Sequence, residues 1–100
     1  MSSLKVCSAE FCAHKFQILA DTTRLSVLQC LMDGPKHVKE LNAVLMIEQS
    51  LLSHHLKVLR DEGFVRSSRD GKTMLYELVS SFKDKQRLDL QCCIVAFDAF

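Results

Sequence analysis

With 100 residues, the chain has the length of one domain and is too short to divide into two. Its composition is ordinary for a globular protein, with 48% apolar and 25% charged residues. Because the formal net charge is only +1, a general electrostatic attraction to nucleic acid is excluded, and any basic surface must be local.

The sequence lacks the usual marks of membrane insertion and of export. No apolar run is long enough to cross a bilayer, and Met1–Ala9 lacks the basic and then apolar layout of a signal peptide. We therefore expect the reducing cytoplasm as the compartment. There, the five cysteines indicate buried apolar side chains, metal ligands or redox thiols rather than a disulfide framework.

The first third of the chain has apolar residues at helical spacing and predicts two helices. One extends from about Leu4 to Leu19. Asp21 or Thr22 can cap the next, because a short oxygen side chain accepts hydrogen bonds from the N–H groups of a first helical turn. Gly34–Pro35 ends this second helix, since glycine tolerates a left-handed conformation and proline cannot continue a helix. The expected buried stripe consists of Leu25, Leu28, Leu31 and Met32.

Two more periodic segments predict a third and a fourth helix. The third runs from about His37 to Leu45, and the fourth begins near Gln49 and ends before Gly63. The fourth helix is expected to turn Leu52, Leu56 and Leu59 inward.

The next segment predicts a β-hairpin, and a last helix is predicted after it. Phe64–Ser68 and Thr73–Leu78 are strand-like, and the Asp-Gly step of the intervening RDGK supplies the positive φ angles of a tight turn. After Ser80, the sequence SFKDKQRLDLQCCIVAFDAF predicts a fifth helix. Its late apolar residues exceed what one side of a monomer helix needs and indicate an oligomer interface. They are Leu88, Leu90, Cys92, Ile94, Val95, Phe97 and Phe100.

The order of these elements predicts a mainly α fold with a small β-hairpin. Two short helices joined by a tight turn and followed by a two-stranded wing make a winged helix-turn-helix. We expect five helices, with the wing between the fourth and the fifth. Residues 1–100 are expected to form a single domain, in which residues 37–78 supply the helix-turn-helix and the wing.

The outward side of the fourth helix carries side chains suited to DNA. Hydroxyl, amide, imidazole and ammonium groups contact base edges and phosphates, and the start of such a helix commonly enters the major groove. Basic side chains at the helix end and on the wing, Arg66 included, are placed to hold the DNA backbone. The alternative is a solvated helix face beside an ordinary hairpin, since five acidic residues balance five basic residues between positions 48 and 78. The predicted DNA contacts are Gln49, Ser50, Ser53, His54, Lys57, Arg60, Arg69 and Lys72.

Four segments within about Phe16 to Leu78 carry a resemblance to a known family: LADTTRLSVLQCLMDG, VKEL, QSLLSHHLKVLRDEGFV and RDGKTMLYEL. With SHHLKVL as an S-x-H-L-x-x-L core, the chain resembles the ArsR/SmtB family of arsenic- and metal-responsive bacterial repressors. The resemblance implies a homodimer joined through its first and last helices, here residues 1–20 and 80–100. It also implies a repressor that binds an imperfect palindromic operator in double-stranded DNA and is released by an inducer. One departure is Glu48, which stands where the family usually has a Ser or Thr helix cap.

Two metal sites known from the family are not matched by this sequence. In the third helix, the places of the two cysteines are taken by His37 and Lys39, so no thiolate site is expected there. In the last helix, the places of the four zinc ligands fall on Ser80, Phe82, Cys93 and Ala96. Because phenylalanine and alanine cannot bind zinc, we do not expect a zinc sensor of the family type.

Thiol chemistry remains as the predicted signal. The adjacent Cys92 and Cys93 can bridge a soft thiophilic ion such as trivalent arsenic or antimony. The third sulfur that such an ion prefers is expected from Cys7 or Cys12, if first and last helices pack across the dimer as the family resemblance implies. An alternative is a redox or persulfide sensor, in which Cys7, Cys12 or Cys30 forms a bridge to the last helix. Packing is the alternative role of every one of these thiols, and no cofactor is expected to be obligatory.

Two other classes of function are alternatives to a DNA-binding repressor. A winged helix can be a protein-interaction module with structural cysteines, and the balanced charge and Glu48 favour that alternative. A cysteine enzyme is disfavoured, because the sequence has no Gly-rich oxyanion loop and its histidines lie on the expected DNA side. We therefore expect a repressor and not an enzyme.

Overall fold

The computed structural model describes residues 8–79, 83–84, 87–90 and 94–97, and it has the predicted mainly α winged helix-turn-helix. Its helices are α1 (Ala9–Leu19), α2 (Thr22–Leu31), α3 (Val38–Leu45) and α4 (Gln49–Asp61). Its strands are β1 (Lys36–His37), β2 (Val65–Asp70), β3 (Thr73–Leu78), β4 (Lys83–Asp84), β5 (Arg87–Asp89) and β6 (Ile94–Ala96). Helices α3 and α4 form the helix-turn-helix, and β2 and β3 form the wing. Within the described ranges, no helix has the length and apolar character needed to span a bilayer.

Side-chain caps begin the first two helices. The Ser8 hydroxyl accepts from the Phe11 N–H at 3.0 Å, and the Asp21 carboxylate accepts from the Arg24 N–H at 3.0 Å. The second hydrogen bond is the main cause of the lowered pKa of Asp21, and it confirms Asp21 as the cap. Beyond the end of α2, Gly34 has a φ of +134° and donates its N–H to the carbonyl of the last α2 residue. The helix therefore ends just before Gly34–Pro35, as predicted.

The core lies where α2, α3 and α4 meet the wing. All three leucines predicted to face inward from α4 are fully buried, and each contributes about 1.5–3 kcal/mol by leaving water. In α2, Leu25 is only partly buried, and Val27 is fully buried instead. The fully buried side chains are Val27, Leu28, Leu31, Met32, Leu41, Leu52, Leu56, Leu59, Phe64, Leu88 and Leu90. The core thus holds α4 by one side and leaves its other side in solvent.

The wing is an antiparallel hairpin in which Val65 pairs with Leu78 and Asp70 pairs with Thr73. Gly71 has a φ of +65°, as the first loop residue of a type II′ turn requires, so Gly71 alone supplies the positive φ of this loop. Strand β1 pairs with the other edge of β3, which gives the sheet order β1-β3-β2. This pairing fixes the start of α3 against the wing.

The predicted fifth helix is wrong for the residues described after position 80. Strands β4, β5 and β6 form a second antiparallel sheet there, in that order. Charged and apolar residues alternate over positions 87–90, and Leu88 and Leu90 are both fully buried. Alternation with a period of two is a strand signal, and it outweighs the general apolar character that suggested a helix. The adjacent Cys92 and Cys93 lie outside the described residues.

Candidate nucleic-acid interface

One side of α4 is exposed along its whole length. The opposite side is buried through Leu52, His55, Leu56 and Leu59, which recur at intervals of three and four residues. The exposed side carries the polar residues that the sequence predicts as DNA contacts, and the exposed Arg69 and Lys72 lie on the neighbouring wing. The predicted contacts that α4 exposes are Gln49, Ser50, Ser53, His54, Lys57 and Arg60.

The start of α4 differs from an ordinary capped helix. Glu48 occupies the N-cap position, and its side chain makes no capping hydrogen bond. Its carboxylate instead accepts a hydrogen bond from the Ser50 hydroxyl, while its backbone carbonyl accepts from the Leu52 N–H at 3.0 Å. The departure at Glu48 therefore leaves α4 without a side-chain cap.

The two adjacent histidines of α4 have different environments. His54 is exposed, whereas His55 is only 7% exposed and belongs to the buried side of the helix. Arg24 Nε donates to His55 Nδ1 at 3.1 Å, and Arg24 Nη1 donates to the Ile18 carbonyl at 3.0 Å. Because His55 Nδ1 accepts this bond, the neutral ring carries its proton on Nε2, which lies 4.0 Å from the Asp21 carboxylate. Arg24 therefore ties α4 to the end of α1.

This Arg24–His55 contact is a structural feature that sequence reasoning missed. The two residues are 31 positions apart, and no local pattern connects an arginine in α2 with a histidine in α4. The only available signal was the pair of neighbouring histidines, because adjacent side chains of a helix point about 100° apart and cannot both face outward.

Acidic partners neutralise several of the basic residues at this surface. Lys57 Nζ lies 2.7 Å and Arg60 Nε 3.9 Å from Asp61. The hydrogen bond from Lys57 is the main cause of the lowered pKa of Asp61. On the wing, Arg66 Nε lies 3.0 Å from Glu77. The recognition helix is thus less positive than its lysine and arginine content suggests.

Three other exposed basic residues have no acidic partner among the described residues. Lys39 of α3 and Arg69 and Lys72 of the wing form no ion pair within the described part of the chain. Lys39 is absent from the contacts predicted from sequence, since its position in α3 gave no indication that it faces the wing.

A cleft of about 300 Å³ lies between α3, α4 and the wing. Its polar walls come from the three elements together, and its apolar floor comes from α3 and β3. The residues that matter for its chemistry are Lys39, Gln49, Ser53, Lys72, Met74 and Tyr76. We call this space the wing cleft. It brings the predicted contacts Gln49, Ser53 and Lys72 together with Lys39.

A histidine latch joins the wing tip to the start of α3. His37 Nε2 lies 2.7 Å from Asp70 Oδ2, and His37 Nδ1 lies 2.9 Å from Glu40 Oε1. The hydrogen bond to Asp70, and then that to Glu40, raises the pKa of His37. The His37 backbone N–H also donates to Glu40 at 2.9 Å, which is the main cause of the lowered pKa of Glu40. Only the protonated imidazolium can donate to both carboxylates at once.

The predicted inducer thiols are only partly within the described residues. Cys12 lies half-buried on α1, and Cys30 lies half-buried on α2, where burial raises the pKa of its thiol. A raised pKa lowers the thiolate fraction, which favours packing over reactivity for Cys30. Cys7 and Cys92–Cys93 lie outside the described residues, and no group of three or more potential metal ligands occurs within those residues.

Comparisons with known proteins give consistent matches. The family model described as bacterial regulatory protein, arsR family, matches residues 21–67. The chain is 41% identical over 66 residues to the HTH-type transcriptional regulator NmtR of Mycobacterium tuberculosis, and 39% identical over 66 residues to a probable mercury resistance operon repressor of Streptomyces lividans. Each match covers 66% of this chain but only 55% and 53% of the two relatives, so the chain spans about half of their length. The structure of reduced HlyU from Vibrio cholerae matches with a TM-score of 0.69 at 33% identity, covering 73% of this chain and 77% of that chain.

Proposed function

This chain belongs to the arsR family of bacterial regulatory proteins, and we propose that it is a homodimeric transcriptional repressor that binds an operator in double-stranded DNA. The family is one of regulators, not of enzymes, which sets the cysteine-enzyme alternative aside. The observation that carries the proposal is that all eight predicted contact residues are exposed on one side of α4 and on the wing. A protein in which Ser50 or Ser53 was buried could not use α4 in this way.

The chemistry of the exposed α4 surface suits base recognition. Amide and hydroxyl groups at Gln49, Ser50 and Ser53 can donate to and accept from base edges, and they lie in the first turns of the helix. Lys57, Arg60 and the wing residues Arg69 and Lys72 supply cations for phosphates. We propose that α4 enters the major groove and that the wing lies against the neighbouring backbone.

Dimerisation is supported by apolar surface on α1. Leu19 is the one buried residue of this helix, while Phe11 and Phe16 are 38% and 50% exposed. Large aromatic side chains left in solvent on one helix are typical of a surface that another chain covers. We propose that α1 pairs with its copy, so that two α4 helices contact two half-sites of a palindrome.

The signal that we propose is a thiophilic ion, with trivalent arsenic or antimony first, bound by Cys92 and Cys93 with a third sulfur from Cys7 or Cys12. One relative is a probable mercury resistance operon repressor, and mercury is also a soft, thiol-seeking metal. To release DNA, the ion needs to favour the non-binding dimer by about 1–3 kcal/mol. Oxidation or persulfidation that joins Cys7, Cys12 or Cys30 to the last segment of the chain is the alternative within this family.

The DNA-binding proposal is tested by selecting duplexes from a randomised library and measuring affinity for the selected sequence at several salt concentrations. We expect enrichment of a palindrome and a steep fall in affinity with salt, because phosphate contacts release counterions. A protein-interaction module would enrich no sequence. Sedimentation of the complex gives the number of chains per duplex, for which we expect two.

The signal is tested by adding arsenite, antimonite, zinc, cadmium and an oxidant separately to the complex. We expect arsenite or antimonite to release the duplex from the wild type but not from a Cys92→Ser, Cys93→Ser double variant. Release of the double variant by every signal that acts on the wild type would show that these two thiols only pack. Release by oxidant alone would favour the redox alternative.

A further inference from the structure

Charge is unevenly distributed over the proposed DNA surface. Lys57 and Arg60 share Asp61, so the exposed side of α4 carries little uncompensated positive charge. In the wing cleft, by contrast, Lys39 and Lys72 line one space, and no carboxylate is among its lining residues. Neither lysine forms an ion pair with another described residue. An anion is therefore attracted more strongly to the cleft than to the helix face beside it.

The size and lining of the wing cleft narrow the choice of anion. Its volume of about 300 Å³ equals that of roughly ten water molecules and is at the lower limit for small-molecule pockets. Met74 and the largely buried Tyr76 give it an apolar floor, while Gln49 and Ser53 form the side that continues into the exposed surface of α4. A charged group joined to a compact, partly apolar ring fits such a space, and a phosphate with its deoxyribose has this composition.

The histidine latch holds the two lysines on facing walls. Lys39 follows His37 by two positions in α3, and Lys72 follows Asp70 by two positions in the wing loop. Since the His37 ring bonds to Asp70 at 2.7 Å, the latch limits how far the two walls can separate. It also engages Glu40, which follows Lys39 directly, and Asp70, which precedes Lys72 by two positions, and so reduces the repulsion of an incoming anion by these two carboxylates.

We propose that the wing cleft receives one backbone phosphate of the bound duplex, clamped between Lys39 and Lys72, with the attached deoxyribose against Met74 and Tyr76. This rests on the proposed DNA-binding function and assigns to it a phosphate site that includes Lys39. Phosphate contacts fix register and supply affinity without reading sequence. The clamp therefore sets how deeply α4 enters the groove, while Gln49 and Ser53 at its edge contact the bases.

The test compares the wild type with Lys39→Gln, Lys72→Gln and the double variant on two probes, the library-selected duplex and a random-sequence duplex. Lys36→Gln is the matched control, because it removes the same charge from a lysine that does not line the cleft. Lys36 belongs to β1 and lies near Cys30. We expect the double variant to lose affinity for both duplexes by the same factor. Its plot of log affinity against log salt should be shallower by about two units, as for one phosphate contact from each of the two protomers. Lys36→Gln should match the wild type.

A scan of the selected duplex with single neutral methylphosphonate substitutions tests whether the lysines share one phosphate. We expect one position per half-site at which neutralisation weakens the wild type and leaves the double variant unchanged. A loss of about four units in salt slope, with two separate positions in each half-site, would overturn the clamp. Because both lysines are exposed, the thermal unfolding of the variants should equal that of the wild type.

The outcomes separate this proposal from the DNA-binding function itself. If the wild type shows no salt-dependent binding to either duplex, the proposed function fails. If the wild type binds and the double variant has the same salt slope and the same scan, the clamp fails while the function stands. The latter result is also the one expected if the cleft serves a small anionic effector instead of DNA.

Discussion

Replacing Arg24 with methionine tests the link between α2 and the recognition helix. The change keeps most of the aliphatic length but removes the hydrogen bonds to His55 Nδ1 and to the Ile18 carbonyl. Hydrogen bonds from a charged donor contribute about 1.5–3 kcal/mol each, and an acceptor left unsatisfied at the 7% exposed His55 adds a cost. Since Arg24 itself is only partly buried, we expect the free energy of unfolding to fall by about 2–4 kcal/mol.

The assay is urea unfolding followed by circular dichroism, with thermal unfolding as a second measure. A loss of this size lowers the Tm by at least about 10 °C in a domain of this length. Arg69→Met is the matched control, because Arg69 is exposed and forms no ion pair within the described residues, and it should change stability by less than about 0.5 kcal/mol.

A double variant, Arg24→Met with His55→Leu, sharpens this test. Removing both partners of a hydrogen bond costs less than leaving one unsatisfied. We therefore expect the double variant to be more stable than the sum of the two single losses predicts, by about 1 kcal/mol or more. If Arg24→Met and Arg69→Met lose the same stability, or the two losses simply add, the contact does not hold α4 in place.

Three further predictions follow from named contacts. Asp61→Asn frees Lys57 from its ion pair at 2.7 Å, so affinity for the selected duplex should rise about two- to fivefold in fluorescence anisotropy. The raised pKa of His37 means that its bond to Asp70 stabilises the fold fully below the ordinary histidine pKa, and that this contribution is lost as pH rises through the raised value. The difference in Tm between the wild type and His37→Gln should therefore shrink from acid to mildly alkaline pH. Met46 is 86% exposed with a φ of +54°, so Met46→Gly relieves backbone strain without loss of packing and should raise the free energy of unfolding by up to about 1 kcal/mol in urea.

Each of these predictions has a result that contradicts it. For Asp61→Asn, the control is Asp33→Asn, an isosteric change at another exposed position. Equal changes in affinity in both variants would mean that net charge, and not the release of Lys57, causes the effect. For His37, a Tm difference that is constant with pH would mean that the latch does not depend on protonation. For Met46, a lower free energy of unfolding would show that its side chain packs on something that glycine cannot replace.

Local periodicity was enough to predict the recognition helix and its orientation. The inward leucines Leu52, Leu56 and Leu59 are spaced at four and three residues, and this spacing alone fixes which polar residues face outward. The hairpin was predictable because a glycine at position 71 supplies the positive φ between two β-rich segments. These signals are local, since neighbours along the chain determine them.

Contacts between distant parts of the chain were not predictable in the same way. Strand β1 is two residues long and exists only because β3 pairs with it. The latch joins positions 33 apart and the Arg24–His55 bond joins positions 31 apart, so the fold must be known before either contact can be expected. The prediction of a fifth helix failed for a different reason. The apolar content of this segment suggested a helix, whereas the alternation of charged and apolar residues around Leu88 and Leu90 indicated a strand.

Whether DNA binds to α4 and the wing is tested by following the backbone amide resonances of the labelled protein while the library-selected duplex is added. If α4 and the wing bind DNA, the largest shifts belong to Gln49, Ser50, Ser53 and His54, together with Lys72 and Lys39. Saturable shifts confined to other parts of the chain, with the α4 amides unmoved, would show that α4 does not bind the duplex.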